Sequence, residues 1–99
     1  MTEVTWNIKE ASNNDAASCV FTLVGSAGAP LHAEGCTIMG REFSALADAF
    51  GIVTVKLFST ESIQPKGTSY VVSILDVNGQ VLKSARYSIG KDAAFTPLS

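Results

Sequence analysis

Apolar and polar residues alternate along much of this chain with a period of two, the spacing of a strand with one buried and one wet face. Val4, Trp6 and Ile8 alternate with Thr5, Asn7 and Lys9, which predicts a first strand over residues 3–9. The turn-forming run Ser12-Asn13-Asn14-Asp15 follows. Cys19, Phe21 and Leu23 share one face of a second strand over 19–24, and Gly25 to Pro30 reads as a loop. Cys36-Thr37-Ile38-Met39 then reads as strand. Residues 45–50 have helical propensity, but so short a helix is marginal in water and Gly51 ends it at once. The better expectation is strand through about Ala47 and a tight turn at Asp48-Ala49-Phe50-Gly51, with Gly51 at positive φ.

The clearest alternation lies further on. Val53, Val55 and Leu57 alternate with Thr54 and Lys56 over residues 52–58, and a loop over 59–67 closes on Pro65-Lys66-Gly67. Over 68–76, Tyr70, Val72 and Ile74 face one way and Ser69, Val71, Ser73 and Leu75 the other. Asp76-Val77-Asn78-Gly79 reads as a hairpin turn, because Asn-Gly between apolar runs is the strongest short-range hairpin signal. The returning strand covers 81–89, with Val81, Ala85, Tyr87 and Ile89 expected inward and Lys83 snorkelling at the edge. Residues 91–99 read as a C-terminal tail that Phe95 and Leu98 dock. Six or seven short strands at about ten-residue spacing predict an all-β fold, a two-sheet antiparallel sandwich of the immunoglobulin or fibronectin kind.

Composition agrees with that pattern. Val, Ile, Thr and the aromatic residues together make about a third of the 99 residues. Hydrophobic residues are 46% and charged residues 16%, the balance of a core-forming single domain over 1–99. Seven basic against nine acidic residues give a net charge of −2, so no nucleic-acid footprint is expected. No apolar run is long enough to cross a bilayer as a helix, and the first residues carry no basic segment followed by an apolar one, so neither a membrane nor a secretory signal is expected. Cys19 and Cys36 are too few for a disulfide framework and too far apart for a metal knuckle; two reduced, buried thiols are the expectation.

One ordered set of signals goes further. Asp48-Ala49-Phe50-Gly51 precedes an apolar strand ending at Leu57, and a polar loop closes on Pro65-x-Gly67-Thr68-x-Tyr70. The strand Val71-Val72-Ser73-Ile74 then runs into Asp76-x-Asn78-Gly79. This order resembles the small β-sandwich domains of bacteriophage tail fibres and related virion proteins, over roughly the second half of the chain. Phe50 stands where that pattern usually has Asn, and an aromatic at a turn tip points to packing on a neighbour or partner. The resemblance implies a structural role in a virion, as a tail-fibre-like, head-decorating or attachment component. It implies contacts with other virion proteins or with copies of itself, a trimer being the usual arrangement. It implies no catalysis and no cofactor.

The chemistry-bearing residues add little against that. His32 and Cys36 invite a nucleophile–base reading, yet no nucleophile elbow or comparable motif surrounds them, and a solvated loop histidine is the simpler expectation. Asp76-Val77-Asn78-Gly79 starts like a calcium loop, but Gln80 to Ala85 supplies no acid to complete one. If Tyr70, Val72 and Ile74 fill the core, then Val71 and Leu75 lie outside, joined by Leu82, and with Phe50 they form the candidate interface. Gly51, Asn78 and Gly79 are the expected structural turn residues. A chain of this size buries about 60–65% of its unfolded area, so assembly that covers apolar residues and strand edges would stabilise it. The competing reading is a bacterial surface-displayed binding module whose loops 25–35 and 59–67 carry recognition.

Overall fold

The computed structural model describes residues 2–25, 30–64, 66–92 and 95–98, with backbone alone at 97 and 98. In chain order these form β1 (Thr2–Asn7), α1 (Ile8–Ala11), β2 (Ser18–Val24), β3 (His32–Ala33), β4 (Cys36–Thr37), β5 (Glu42–Leu46), β6 (Ile52–Leu57), β7 (Ile63–Gln64), β8 (Ser69–Leu75), β9 (Val81–Ile89) and β10 (Phe95–Leu98). The molecule is all-β and sandwich-like, with every strand pair antiparallel. A five-stranded sheet runs in the order β10-β9-β8-β2-β5, a two-stranded sheet pairs β1 with β6, and a three-stranded sheet runs β4-β3-β7. The three strands β3, β4 and β7 hold two residues each. Among the described residues seven longer strands remain, six where the alternation predicts them and β10 where a tail was expected.

The core lies between the layers. Val4, Ile8, Val53 and Leu57 from β1, α1 and β6 meet Cys19, Phe21, Leu23, Tyr70, Val72, Ile74, Tyr87 and Ile89 from the large sheet. Trp6 of β1 joins the layers through its ring, 6.4 Å from Phe21, 5.7 Å from Tyr87 and 4.8 Å from Phe95 between centroids. The contacts with Tyr87 and Phe95 are edge-on, and such pairs add about 0.5–1.5 kcal/mol each beyond their buried area. Leu31, Ala33, Ile38 and Ile63, from β3, β7 and the residues flanking β3 and β4, add to the same cluster.

Several local features depart from the alternation. The first strand stops at Asn7, two residues early. Asn7 Oδ1 accepts the backbone N–H groups of Lys9 and Glu10 at 3.1 Å each, so it caps a helical turn, and Ile8 still reaches the core. Residues 36–39 give strand only at Cys36–Thr37, and Met39 is exposed. The 59–67 loop contains β7, paired with β3 through His32↔Gln64 and Ala33↔Ile63. The segment expected as a tail carries β10, a full strand of the large sheet, because Phe95 reaches the Trp6 cluster and the backbone pairs with β9. The dock expected of the Leu98 side chain and the loop over 26–29 lie outside the described residues.

The β8–β9 hairpin carries the largest correction. Ile74 pairs with Lys83 but Leu75 pairs with Val81, so Leu82 is an extra residue in the ladder. One extra residue inverts side-chain parity across the bulge. Val81, expected inward, is therefore exposed, and Leu82, expected outside, packs against the core. Lys83 keeps its inward position and its Nζ reaches the Ala11 carbonyl at 3.1 Å, the snorkelling its sequence position predicts.

Candidate functional site

One end of the large sheet gathers most of the exposed apolar residues. It is framed by two turns of the same construction, Asp48–Ile52 between β5 and β6 and Asp76–Gln80 between β8 and β9. Asp48 Oδ1 accepts the N–H groups of Phe50 at 2.8 Å and Ile52 at 3.0 Å. Asp76 Oδ1 accepts those of Asn78 at 2.8 Å and Gln80 at 3.0 Å. The backbone repeats too: Gly51 donates to the Asp48 carbonyl at 3.0 Å, and Gly79 to that of Asp76 at 3.1 Å. The closing glycines sit at φ +83° and +84°. An aspartate that satisfies two turn amides holds such a loop without help from the core.

The two turns differ in what stands behind them. The Gly51 carbonyl accepts the Ile8 N–H at 2.9 Å, and a Cβ added at Gly51 would lie 2.5 Å from Lys9 Cγ. The 48–51 turn is thus docked on α1. A Cβ at Gly79 would meet nothing within 4 Å. Asn78 is not at positive φ, so the Asn-Gly pair does not form a two-residue I′ turn but lies within the five-residue connection 76–80. A two-residue hairpin of that positive-φ kind does occur at Glu34-Gly35, at φ 55° and 81°, where β3 turns into β4.

These turns hold Phe50 77% exposed and Val77 84% exposed. Beside them a row crosses the outer face of the sheet in the order Leu46, Ser18, Leu75 and Val81, each paired with the next. Leu46 is 82% exposed, Val81 59%, and Leu75 half-buried. A shallow depression of about 310 Å³ lies against Ser18, Val20, Leu46 and Leu75. The next rows are polar but for one valine each: Ser44, Val20, Ser73 and Ser84, then Glu42, Thr22, Val71 and Arg86. Ser73 and Ser84 approach through their hydroxyls at 3.4 Å, and Arg86 Nη2 donates to Ser69 Oγ at 3.0 Å.

Of the residues expected at an interface, Phe50 and Leu75 belong to this end. Val71 is half-buried two rows away between Thr22 and Arg86, and Leu82 faces the core. Leu46, Val77 and Val81 were not singled out by the sequence pattern. For Leu46 the signal was present, since the alternation of Phe43 and Ala45 puts it on the opposite face.

Elsewhere several polar groups have structural partners. His32 is exposed on β3, and its Nδ1 lies 3.1 Å from Thr37 Oγ1. Cys36 is exposed, contrary to the expectation of two buried thiols, whereas Cys19 is fully buried, and both are free. Burial pushes the Cys19 thiol up to about 12. Burial also raises the Tyr70 phenol, although its hydroxyl donates to the Phe58 carbonyl at 2.8 Å. A cleft of about 610 Å³ is lined by residues including Thr60, Glu61 and Lys91. There Glu61 Oε2 accepts the Lys91 N–H at 2.8 Å and fixes the loop. Among the described residues no group of three His, Cys, Asp or Glu converges as a metal site would require. No helix among them is long and apolar enough to cross a membrane. No protein family, curated protein or solved structure matches the chain.

Proposed function

We propose that the chain is a structural component of a bacteriophage particle, tail-fibre-like, head-decorating or attaching, that works by protein–protein contact and not by catalysis. The observation that carries the reading is the end built from the twin Asp-x-x-Gly turns. Rigid turns hold Phe50 and Val77 out into solvent beside the Leu46–Leu75–Val81 row. Apolar groups held in one conformation lose little entropy on docking, and a partner that covers them gains hydrophobic burial. The order of turn and strand signals in the second half of the chain supports a virion as the setting. Mass spectrometry of density-banded phage particles from a host that encodes the chain tests this. Its peptides should appear at a fixed ratio to a major capsid or tail protein. Presence in the lysate with absence from the banded particles overturns the reading.

A binding module displayed on a bacterial surface is the second reading, favoured by one observation. The pairing of β3 with β7 brings the 31–33 and 63–64 segments together, so parts of the two recognition loops expected for such a module share one small sheet. Protease shaving of intact cells separates the two readings, because only a displayed module is released.

A further inference from the structure

The large sheet ends on two margins, and they differ. In β5 the backbone groups that bond to β2 are those of the odd residues: Leu23 N–H donates to the Arg41 carbonyl at 2.7 Å, and Ala47 N–H to the Ala17 carbonyl at 2.9 Å. With the register Phe21↔Phe43 and Cys19↔Ala45 between them, alternation in an antiparallel ladder sends the N–H and C=O groups of Glu42, Ser44 and Leu46 the other way. All three residues are exposed. The strand Glu42-Phe43-Ser44-Ala45-Leu46 has no proline, no lysine and no bulge to blunt its margin, and its one charge, Glu42, stands at its first residue. The opposite margin is β10, which contains Pro97. The ladder parity carried across β8 and β9 aims the backbone of position 97 outward, where proline has no N–H to offer.

We infer that the free edge of β5 is a second contact surface of the module proposed above, beside the twin-turn end, and that its partner is β5 of a second copy, added antiparallel about a two-fold axis through Ser44. The inference rests on the protein–protein contact reading for its biological use. The argument for a second copy is self-complementarity. Only even residues aim outward, so a two-fold pairing must match even with even. The register Glu42↔Leu46, Ser44↔Ser44 and Leu46↔Glu42 uses all three pairs, for about six intermolecular hydrogen bonds. A shift by two residues in either direction leaves one of the three unmatched. In the full register each Glu42 carboxylate lies across from a Leu46, away from the other Glu42, so no like charges oppose. On the inner face Phe43 comes opposite Ala45, large against small. The two five-stranded sheets would then continue as one of ten. Pairing of this kind is two-fold, so it gives a dimer in place of the trimer implied by the fibre resemblance.

Sedimentation equilibrium of the full chain, with amide hydrogen exchange across the same concentrations, tests the inference. The wild type should reach twice the monomer mass. Protection of the Glu42, Ser44 and Leu46 amides should rise at least tenfold with concentration, while that of Phe43 and Ala45 stays high throughout. S44K places two ammonium groups opposite each other on the axis, and S44E two carboxylates. Each alone should sediment as a monomer with an unchanged circular dichroism spectrum, and an equimolar mixture should recover the dimer mass. A wild type that stays monomeric overturns the inference, as does an S44K variant that dimerises as well as wild type. The fibre reading is judged separately by the particle composition above: an edge dimer absent from particles defeats that reading alone, and a monomer present in particles defeats this inference alone.

Discussion

The twin turns form an internal control for the role of α1 in holding the 48–51 turn. Gly51 and Gly79 occupy the same position of the same hydrogen-bonded loop, at φ +83° and +84°. Replacing either with alanine forces an L-residue into the left-handed region, which costs about 1–2 kcal/mol. For Gly79→Ala nothing further is lost, because the new methyl enters open space. For Gly51→Ala the methyl would sit 2.5 Å from Lys9 Cγ, 2.7 Å from Cδ and 2.9 Å from Cβ. The Cβ is fixed to the helix backbone, so rotation of a flexible tail cannot relieve the clash. Overpacking of this kind adds about 1–3 kcal/mol. Distortion of the Ile8 N–H to Gly51 C=O bond adds about 1 kcal/mol more. G79A should therefore lower unfolding stability by about 1–2 kcal/mol and G51A by about 3–6 kcal/mol. Urea titration followed by the fluorescence of the single tryptophan, Trp6, measures both. Lys9→Ala removes the Cγ and Cδ, so K9A/G51A should regain part of the excess over the sum of the single effects. Equal losses for G51A and G79A would refute the docking of this turn on α1.

Three further outcomes follow from the core. Tyr70→Phe leaves the Phe58 carbonyl without its donor and should lower stability by about 1–3 kcal/mol in the same titration; no change would mean that water replaces the hydroxyl. A thiol reagent should label one cysteine per chain rapidly in the native protein, Cys36, and reach Cys19 only on addition of denaturant; two rapid thiols would contradict the burial of Cys19. Stability should fall with rising alkalinity. The Cys19 thiol ionises near its ordinary 9.0 when unfolded but only near about 12 when folded, so its contribution is complete below pH 9 and is lost between the two values. The slope is about 1.4 kcal/mol per pH unit, steeper once the unfolded Tyr70 also ionises, and Cys19→Ala should remove its onset near pH 9.

What the sequence shows and what it hides divide along physical lines. The alternation of Cys19-Phe21-Leu23 and of Tyr70-Val72-Ile74 is legible because each strand buries one whole face. Gly51 at positive φ was also legible, since Asp-x-x-Gly encodes its own hydrogen bonds. The inverted ends of β9 were not, because nothing in Val81-Leu82-Lys83 marks an extra residue; the bulge exists only in the pairing with Ile74 and Leu75. The same holds for β7 and β10, which are strands through their partners. Asp76-Val77-Asn78-Gly79 was legible as the hairpin turn, and Asp76 holds it by capping both Asn78 and Gln80. At the candidate site, Leu75 was found from parity and Phe50 from its place at a turn tip, whereas Val81 was lost to the bulge and Leu46 to the unread face of β5.

Pro97 has a consequence for crowding. A ribbon with two receptive flanks can recruit copies without end and grow into filaments, the hazard that unprotected strands bring to concentrated solutions. Here one flank lacks a donor at position 97, so if β5 pairs with a second β5 as inferred above, the addition closes on itself and does not propagate through β10. In that arrangement a crowded solution would hold discrete particles in place of fibrils.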